Sequence, residues 1–428
     1  MSKHRSIIFF FCFSSLIISQ QSFEEFKQQQ QKEFDQFKSS VETEYDSFKI
    51  KEELAFKKFK ADVEKQWEDF KGSTAKTYVS YDPDLQSRAS VDFDKGDVTI
   101  EVIIEDNSTG DSFNFYDQGY DLDQLVYQGP CIFGNYLFIL NSSYLFFPQT
   151  ADHVIRELSQ NKARPVLQKL ADTKLIKKLV KILSEKDDAG DPILEDQIKT
   201  EEGVVVRSGV NDKEYALKKV SKIAKNIRSY VGLDGKKRTS FSLNFKLRSD
   251  HKDVRINKYQ KQIIKQADRF NIDPSIAMAV TETESSFNPK ATSHIPAYGL
   301  MQLVPSSGGR DAYKYVYGKD KFLGKRYLYK PSNNIELGCA YLGKIRYQYF
   351  KGIEDEEKAM MCTVAAYNTG AGNVSKALTN TTKLSPAVKK VNRMSSKKLY
   401  TTLLRDLEYE ETRNYLKKVW ERKEKYRS

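Results

Sequence analysis

Aromatic residues recur along the first part of the chain with a period of eleven: Phe23, Phe34, Tyr45, Phe56 and Trp67 each open an aromatic-x-x-Phe-Lys unit. The second aromatics are Phe26, Phe37, Phe48, Phe59 and Phe70, followed by Lys27, Lys38, Lys49, Lys60 and Lys71. Eleven residues over three turns is about 3.67 per turn, close to the natural helix, so the stripe stays on one face. The pattern predicts one amphipathic helix over 20–72, on the order of 70 Å long, with no Pro or Gly to interrupt it before Gly72. From about Lys76 the period drops to two. Ala89, Val91 and Phe93 alternate with Ser90 and Asp92, Asp94-Lys95-Gly96-Asp97 supplies a turn, and Val98, Ile100, Val102 and Ile104 resume the alternation. This predicts a hairpin with one buried face.

Further on, 167–183 reads as helix, Asp191-Pro192-Ile193-Leu194 as a turn into another strand, and 239–247 as a closing strand. An α+β region is the simplest arrangement of these elements. Residues 106–150 follow the hairpin. Their apolar runs, 131–140 and 144–147, are broken by Gly134, Asn135, Asn141, Ser142 and Ser143, too short to span a bilayer. Core strands are expected there, with an exposed contact patch as the alternative. The period returns to helical over 257–269. Asp273-Pro274 then reads as an N-cap with Pro at the first helical position. That helix runs through Ile276-Ala277-Met278-Ala279-Val280, delivers Glu284 at its end and exits at Asn288-Pro289.

Composition adds two constraints. The net charge of +12 points to an anionic partner: nucleic acid, an anionic membrane surface or an acidic polymer. No finger spacing, RNP-like segment or long basic run is present, which argues against nucleic acid. The helix over 21–72 carries ten Lys against thirteen Asp and Glu, a net of −3. Self-association, a protein partner or a helical spacer role through 23–70 is therefore favoured over membrane binding, which stays as the alternative. His4, His153, His251 and His294 are scattered, and Cys12, Cys131, Cys339 and Cys362 form no CxxC, so no metal site or cofactor is implied. Cys339 and Cys362 read as buried thiols, with a disulfide in an oxidising compartment as the alternative.

At the amino terminus Lys3-His4-Arg5 precedes the apolar stretch Ser6 to Ser19, a secretory signal peptide over 1–19 by its charge and length. An uncleaved anchor is the alternative. Cys12 lies inside the apolar run after three Phe, where no lipoprotein box fits.

Three segments carry the chemistry: Glu284-Ser285-Ser286-Phe287-Asn288-Pro289, Gly299-Leu300-Met301-Gln302, and Ala366-Tyr367-Asn368-Thr369-Gly370-Ala371-Gly372. In this order they resemble the lytic transglycosylases, enzymes of lysozyme-like fold that cut peptidoglycan glycan strands, and within them the membrane-bound murein transglycosylase C type. The segment 81–105 resembles the accessory domain that precedes the catalytic domain in that type, and residues 106–150, which do not fit the resemblance, look like an insertion. The resemblance implies a multidomain α+β protein: the leader, the repeat helix (20–72), an α+β accessory domain (73–252) and a mainly helical lysozyme-like domain (253–428). It also implies peptidoglycan as the partner and the periplasm or cell envelope as the location.

A carboxyl at the end of an apolar helix is partly desolvated and keeps its proton more readily, as a general acid for a glycosidic oxygen must. Glu282 lies about 200° away around the helix and faces elsewhere. Most glycosidases use two carboxylates, but Asp311, Asp320 and Glu336 stand in no such motif. The resemblance implies that one suffices. Glu284 would protonate the leaving oxygen of the MurNAc-GlcNAc β-1,4 bond and then accept the proton of the sugar's own C6 hydroxyl, closing a 1,6-anhydro ring. Ser285, Gln302, Tyr367 and Asn368 follow as substrate-side residues, with Gly370 and Gly372 allowing a sharp turn. Tyr415, in Glu411-Thr412-Arg413-Asn414-Tyr415-Leu416, either reaches the cleft or packs between helices. Leu300 and Met301 are expected in the core. A water-using muramidase and a non-catalytic wall-binding scaffold are the competing functions.

Overall fold

The computed structural model describes residues 28–29, 32, 43, 46–106, 131–133, 136–138, 163–293 and 296–427. The leader, most of the repeat before residue 46 and all of the insertion except 106, 131–133 and 136–138 lie outside the described residues. The chain divides into two compact units. One comprises Val63–Gln260 with Ser285–Ala291; the other comprises Met1–Asp62, Lys261–Glu284 and Thr292–Ser428.

The first unit is built on a five-stranded antiparallel sheet. Its strands are β1 (Thr77–Tyr81), β2 (Ser87–Asp92), β3 (Asp97–Glu105), β6 (Asn226–Val231) and β7 (Lys237–Lys246), in the order β1-β2-β3-β7-β6. Short β4 (Cys131–Phe133) and β5 (Tyr136–Phe138) pair separately, in line with strands in the insertion. The β2–β3 hairpin forms as the alternation predicts: Val91 faces Val98 and Ala89 faces Ile100, all fully buried. Helices Ala163–Leu183 (α2) and Asp212–Lys222 (α3) cover that apolar face, with Leu175, Leu179, Ala216 and Val220 against Phe241 and Leu243. The closing strand at 239–247 is β7, seated between β3 and β6.

Two expectations fail in this unit. Residues 191–194 do not lead into a strand. Pro192 makes one isolated bridge to Lys186 and the chain goes on through turns, with Asp187 Oδ1 accepting the amides of Ala189 and Asp191. The repeat helix also ends early. The described helix covers 46–66 (α1), so the fifth repeat unit is not helical.

Competition from the sheet explains the break at Trp67. Its indole donates to the Leu85 carbonyl at 2.6 Å, and the Arg88 guanidinium stacks 4.0 Å from its ring. Arg88, only 2% exposed, also forks onto Glu101 at 2.7 and 3.0 Å and reaches Asp69 at 2.7 Å. Lys71 pairs with Glu101 at 2.8 Å. Burying Trp67 with Val63 and Ile103 outweighs two further helical turns.

The second unit is helical. Its elements run His251–Arg269 (α4, whose first turns belong to the sheet unit), Pro274–Ser285 (α5), Gly308–Tyr317 (α6), Lys325–Leu328 (α7), Pro331–Lys344 (α8), Glu356–Thr369 (α9), Ala371–Thr379 (α10), Leu384–Asn392 (α11), Ser396–Asp406 (α12) and Glu410–Lys425 (α13). A π-helical turn, Ile345–Tyr349, extends α8. Helix α5 starts as predicted: Asp273 Oδ1 accepts the Ser275 amide at 2.8 Å, with Pro274 at the first position. Its Ile276, Ala277, Met278, Ala279 and Val280 are all at most 2% exposed, so the helix is a central strut. Part of α1 belongs to this unit, where the Phe48 ring packs edge-on against Phe322 at 5.1 Å and Glu52 meets Lys325 at 3.1 Å. Cys339 and Cys362 are free and fully buried, as the thiol reading expected.

Candidate active site

Glu284 occupies the last turn of α5 and is half-buried. Two tyrosines from distant helices come to it. Tyr367, near the end of α9, and Tyr415, on α13, are both buried and both lie in the field of its carboxylate. Burial first, and then the Glu284 charge, hold both phenols well above their ordinary range. The Tyr367 hydroxyl donates to the Met301 carbonyl at 2.8 Å. The Tyr415 hydroxyl faces Glu284 without closing a hydrogen bond of full geometry.

The Met301 carbonyl belongs to the 299–302 loop, so Tyr367 links that loop to α9. Leu300 and Met301 are fully buried, as expected of core residues. Gly299 takes a left-handed φ of 77°, and a Cβ there would collide with Asn334 and the Leu328 carbonyl. Gln302 also has a positive φ, 47°, and its side-chain amide turns back to donate to the Gly299 carbonyl at 3.0 Å. Holding the loop from behind is Asn334 on α8, fully buried. It accepts the Met301 amide at 2.7 Å and donates to the carbonyls of Tyr298 and Leu328 at 2.7 and 2.8 Å. The sequence alone gives Asn334 no such role. The available signal was an Asn inside a helix among apolar neighbours, a position where its side chain usually serves a backbone elsewhere.

Asn368 is half-buried, and its Oδ1 accepts the Thr412 hydroxyl at 2.7 Å. Thus α9 and α13 are tied one residue from Tyr367 and three from Tyr415. Gly370 ends α9 with φ 89°, the sharp turn expected, whereas Gly372 lies inside α10 and contributes none. Ser285 follows Glu284 directly and is fully buried; with it begins the segment 285–291, which belongs to the sheet unit.

The remaining carboxylates are engaged elsewhere. Glu282, two residues before Glu284, accepts the Tyr426 hydroxyl at 2.5 Å and has Lys425 and Arg422 at 3.5 and 3.8 Å, so it anchors the end of α13. Asp311 pairs with Lys344 at 2.9 Å, Asp320 with Arg310, and Glu336 with Arg269 at 2.6 Å and Tyr317 at 2.7 Å. The structure therefore brings Glu284, Tyr367 and Tyr415 together, with Met301 of the 299–302 loop one hydrogen bond away.

Comparison with known proteins gives two family matches. Residues 261–389 match the Transglycosylase SLT domain, and residues 27–111 match the N-terminal domain of membrane-bound lytic murein transglycosylase C. The resemblance read from the three motifs is borne out. Curated relatives named membrane-bound lytic murein transglycosylase C include one from Haemophilus influenzae, 39% identical over 179 residues, which are 42% of this chain and 49% of the relative. Another, from Haemophilus ducreyi, is 37% identical over 191 residues, 44% of this chain and 51% of that protein. The chain thus spans about half the length of the curated relatives it matches. A solved structure of an inactive mutant of lytic transglycosylase Slt from Pseudomonas aeruginosa is 26% identical over 39% of this chain and 24% of that one, at a TM-score of 0.31.

Proposed function

We propose that this chain is a peptidoglycan lytic transglycosylase in which Glu284 acts first as general acid and then as base. The observation that carries the reading is the meeting of Glu284 with Tyr367 and Tyr415, residues from three separate helices, within the segment that matches the SLT family or close after it. The carboxylates that could have served as a partner, Glu282, Asp311, Asp320 and Glu336, each hold a structural ion pair, which favours a one-carboxylate mechanism.

In that mechanism Glu284 gives its proton to the leaving oxygen of the MurNAc-GlcNAc bond. The same carboxylate then takes the proton of the C6 hydroxyl as that oxygen attacks the anomeric carbon, leaving a 1,6-anhydro end. An intramolecular nucleophile has a high effective concentration, so no second base is needed. Tyr415 faces the carboxyl and steadies its two protonation states, while Tyr367 fixes the 299–302 loop beside it. Asn368 supplies a polar group for the acetamido substituent, Gln302, its amide turned back onto the Gly299 carbonyl and its Oε1 buried, shapes the loop rather than meeting the sugar, and Ser285 supports Glu284. We read the helical unit as lysozyme-like, 253–428 as the catalytic domain, 73–252 as the accessory domain, 20–72 as the repeat segment and 1–19 as a leader to the cell envelope. The relatives' membrane-bound character supports an envelope location.

Mass spectrometry of purified peptidoglycan after digestion tests the reading, with Glu284→Gln alongside. Anhydro-muropeptides from the wild type and none from the variant are expected. Reducing ends would point to a hydrolysing muramidase, and glycan binding without cleavage to a scaffold.

A further inference from the structure

Directly after Glu284 the backbone does something costly. Ser286 and Phe287 adopt φ of 51° and 59°, two consecutive left-handed residues, neither of them glycine. A residue with a Cβ is disfavoured in that conformation, so surrounding structure must hold the turn. Its holders all lie in the sheet unit, to which 285–291 belongs.

Arg255, on the second turn of α4, is 2% exposed and donates from Nε to the Ser286 carbonyl at 3.0 Å. Its other nitrogens bond to the Phe93 carbonyl at 2.5 Å, the His251 carbonyl at 3.1 Å, His251 Nδ1 at 3.0 Å and Gln197 Oε1. A rigid planar fork with five donors is what four separate pieces of chain require. The second holder is Asp94, in the β2–β3 turn, whose Oδ1 accepts the Ser286 hydroxyl at 3.0 Å and is itself paired with Lys252 at 3.0 Å. A third contact comes from Asn288, fully buried, which donates to the Ala75 carbonyl at 3.3 Å. The hairpin turn is shaped for this task. Gly96 has φ 72°, and a Cβ there would stand 2.7 Å from the His251 ring that Arg255 bonds.

We propose that Arg255 is a positioning residue for Glu284: by gripping the Ser286 carbonyl, with Asp94 on the Ser286 hydroxyl, it fixes the left-handed turn that ends α5 and thereby the direction in which its last turn presents the carboxyl. The inference rests on reading Glu284 as the acid. Two peptide bonds separate the gripped carbonyl from the Glu284 residue, so a shift of the turn is transmitted through covalent geometry. Lysine cannot replace the fork, because one ammonium cannot reach Ser286, Phe93 and Gln197 together.

The test compares Arg255→Lys, Asp94→Ala, Ser286→Ala and the last two combined on a soluble peptidoglycan fragment, with thermal unfolding and glycan binding measured on each full-length protein. Misplacement of an acid lowers kcat and leaves ground-state binding alone. Arg255→Lys is expected to lower kcat roughly 10- to 100-fold with KM within about twofold, and to displace the acid limb of the pH–rate profile. Asp94→Ala and Ser286→Ala both break the Asp94–Ser286 bond and are expected to lose several-fold each, with the double variant no worse than Asp94→Ala alone, because within the turn they remove the same bond. If Arg255→Lys does not fold, that Asp94–Ser286 cycle decides. Folded variants with unchanged kcat and pH profile, or additive losses in the cycle, overturn the proposal. Glu284→Gln separates the two claims: an inactive Glu284→Gln beside fully active Arg255 and Asp94 variants overturns positioning alone, whereas an active Glu284→Gln overturns the reading of the acid and the positioning with it.

Discussion

Two loops lie close to Glu284 in sequence, and the central holder of each is a buried polar side chain of a different kind. The 299–302 loop hangs on Asn334, a neutral amide that matches one backbone donor and two backbone acceptors. The 286–288 turn hangs on Arg255, a cation that meets only acceptors: the carbonyls of Ser286, Phe93 and His251, the Gln197 amide oxygen and a ring nitrogen. An amide pairs donors with acceptors and can be replaced by water or another amide. A guanidinium gathers carbonyls that would otherwise repel one another, and its removal strands them together. The same local task is therefore more brittle where a charge performs it.

Unfolding in urea can break that contrast, since two units allow two transitions. Arg255→Met is expected to have the largest effect, about 3–5 kcal/mol from the transition that reports the sheet unit, because several buried carbonyls lose their donor. Asn334→Ala should cost about 2–3 kcal/mol in the helical unit. Equal losses, or both falling on one transition, would remove the distinction between the two holders.

The pH dependence sharpens it further. His251 is held to about 4, chiefly by burial and then by the Arg255 and Lys252 charges, and it accepts from Arg255 as a neutral ring. A base whose folded value lies below its unfolded one adds stability above about 6.5 that disappears as pH falls toward 4. The sheet unit is expected to lose about 3 kcal/mol across that window. His251→Gln should flatten the curve there, and an unchanged slope would count against a neutral His251. Gly338→Ala has the smallest expected effect, about 1–2 kcal/mol, since its Cβ would press on both the Sδ and the Cβ of the buried Met301 behind the 299–302 loop.

How much of this was legible depended on range. The β2–β3 hairpin declared itself because Val91, Val98 and Ile100 alternate with polar residues over a short span. The α5 start was equally local, a capping Asp followed by Pro. Strand β6 gave no such signal: five of its six residues are exposed, so no alternation marks it. The fifth repeat unit was misread for the opposite reason. Its residues match the four before it, and what pulls Trp67 off the helix is Arg88 and Leu85, on chain that follows the helix altogether. At the site, Glu284, Tyr367 and Tyr415 could be named through resemblance to a family, yet Asn334 and Arg255 could not. Most of their partners lie tens to more than a hundred residues away, and nothing in an Asn or an Arg on a helix tells which backbone it will serve.

Cys339 and Cys362 offer a different use of the same architecture. Each thiol is fully buried, one on α8 beside the Asn334 scaffold and one on α9 just before Tyr367, and burial pushes the Cys362 thiol up to about 12 and raises Cys339 as well. A thiol that neither ionises nor meets solvent in the closed state reacts with an alkylating reagent only when its helix opens. The helical unit thus carries two native clocks, and the rate at which each is labelled counts how often the frame around Glu284 comes apart.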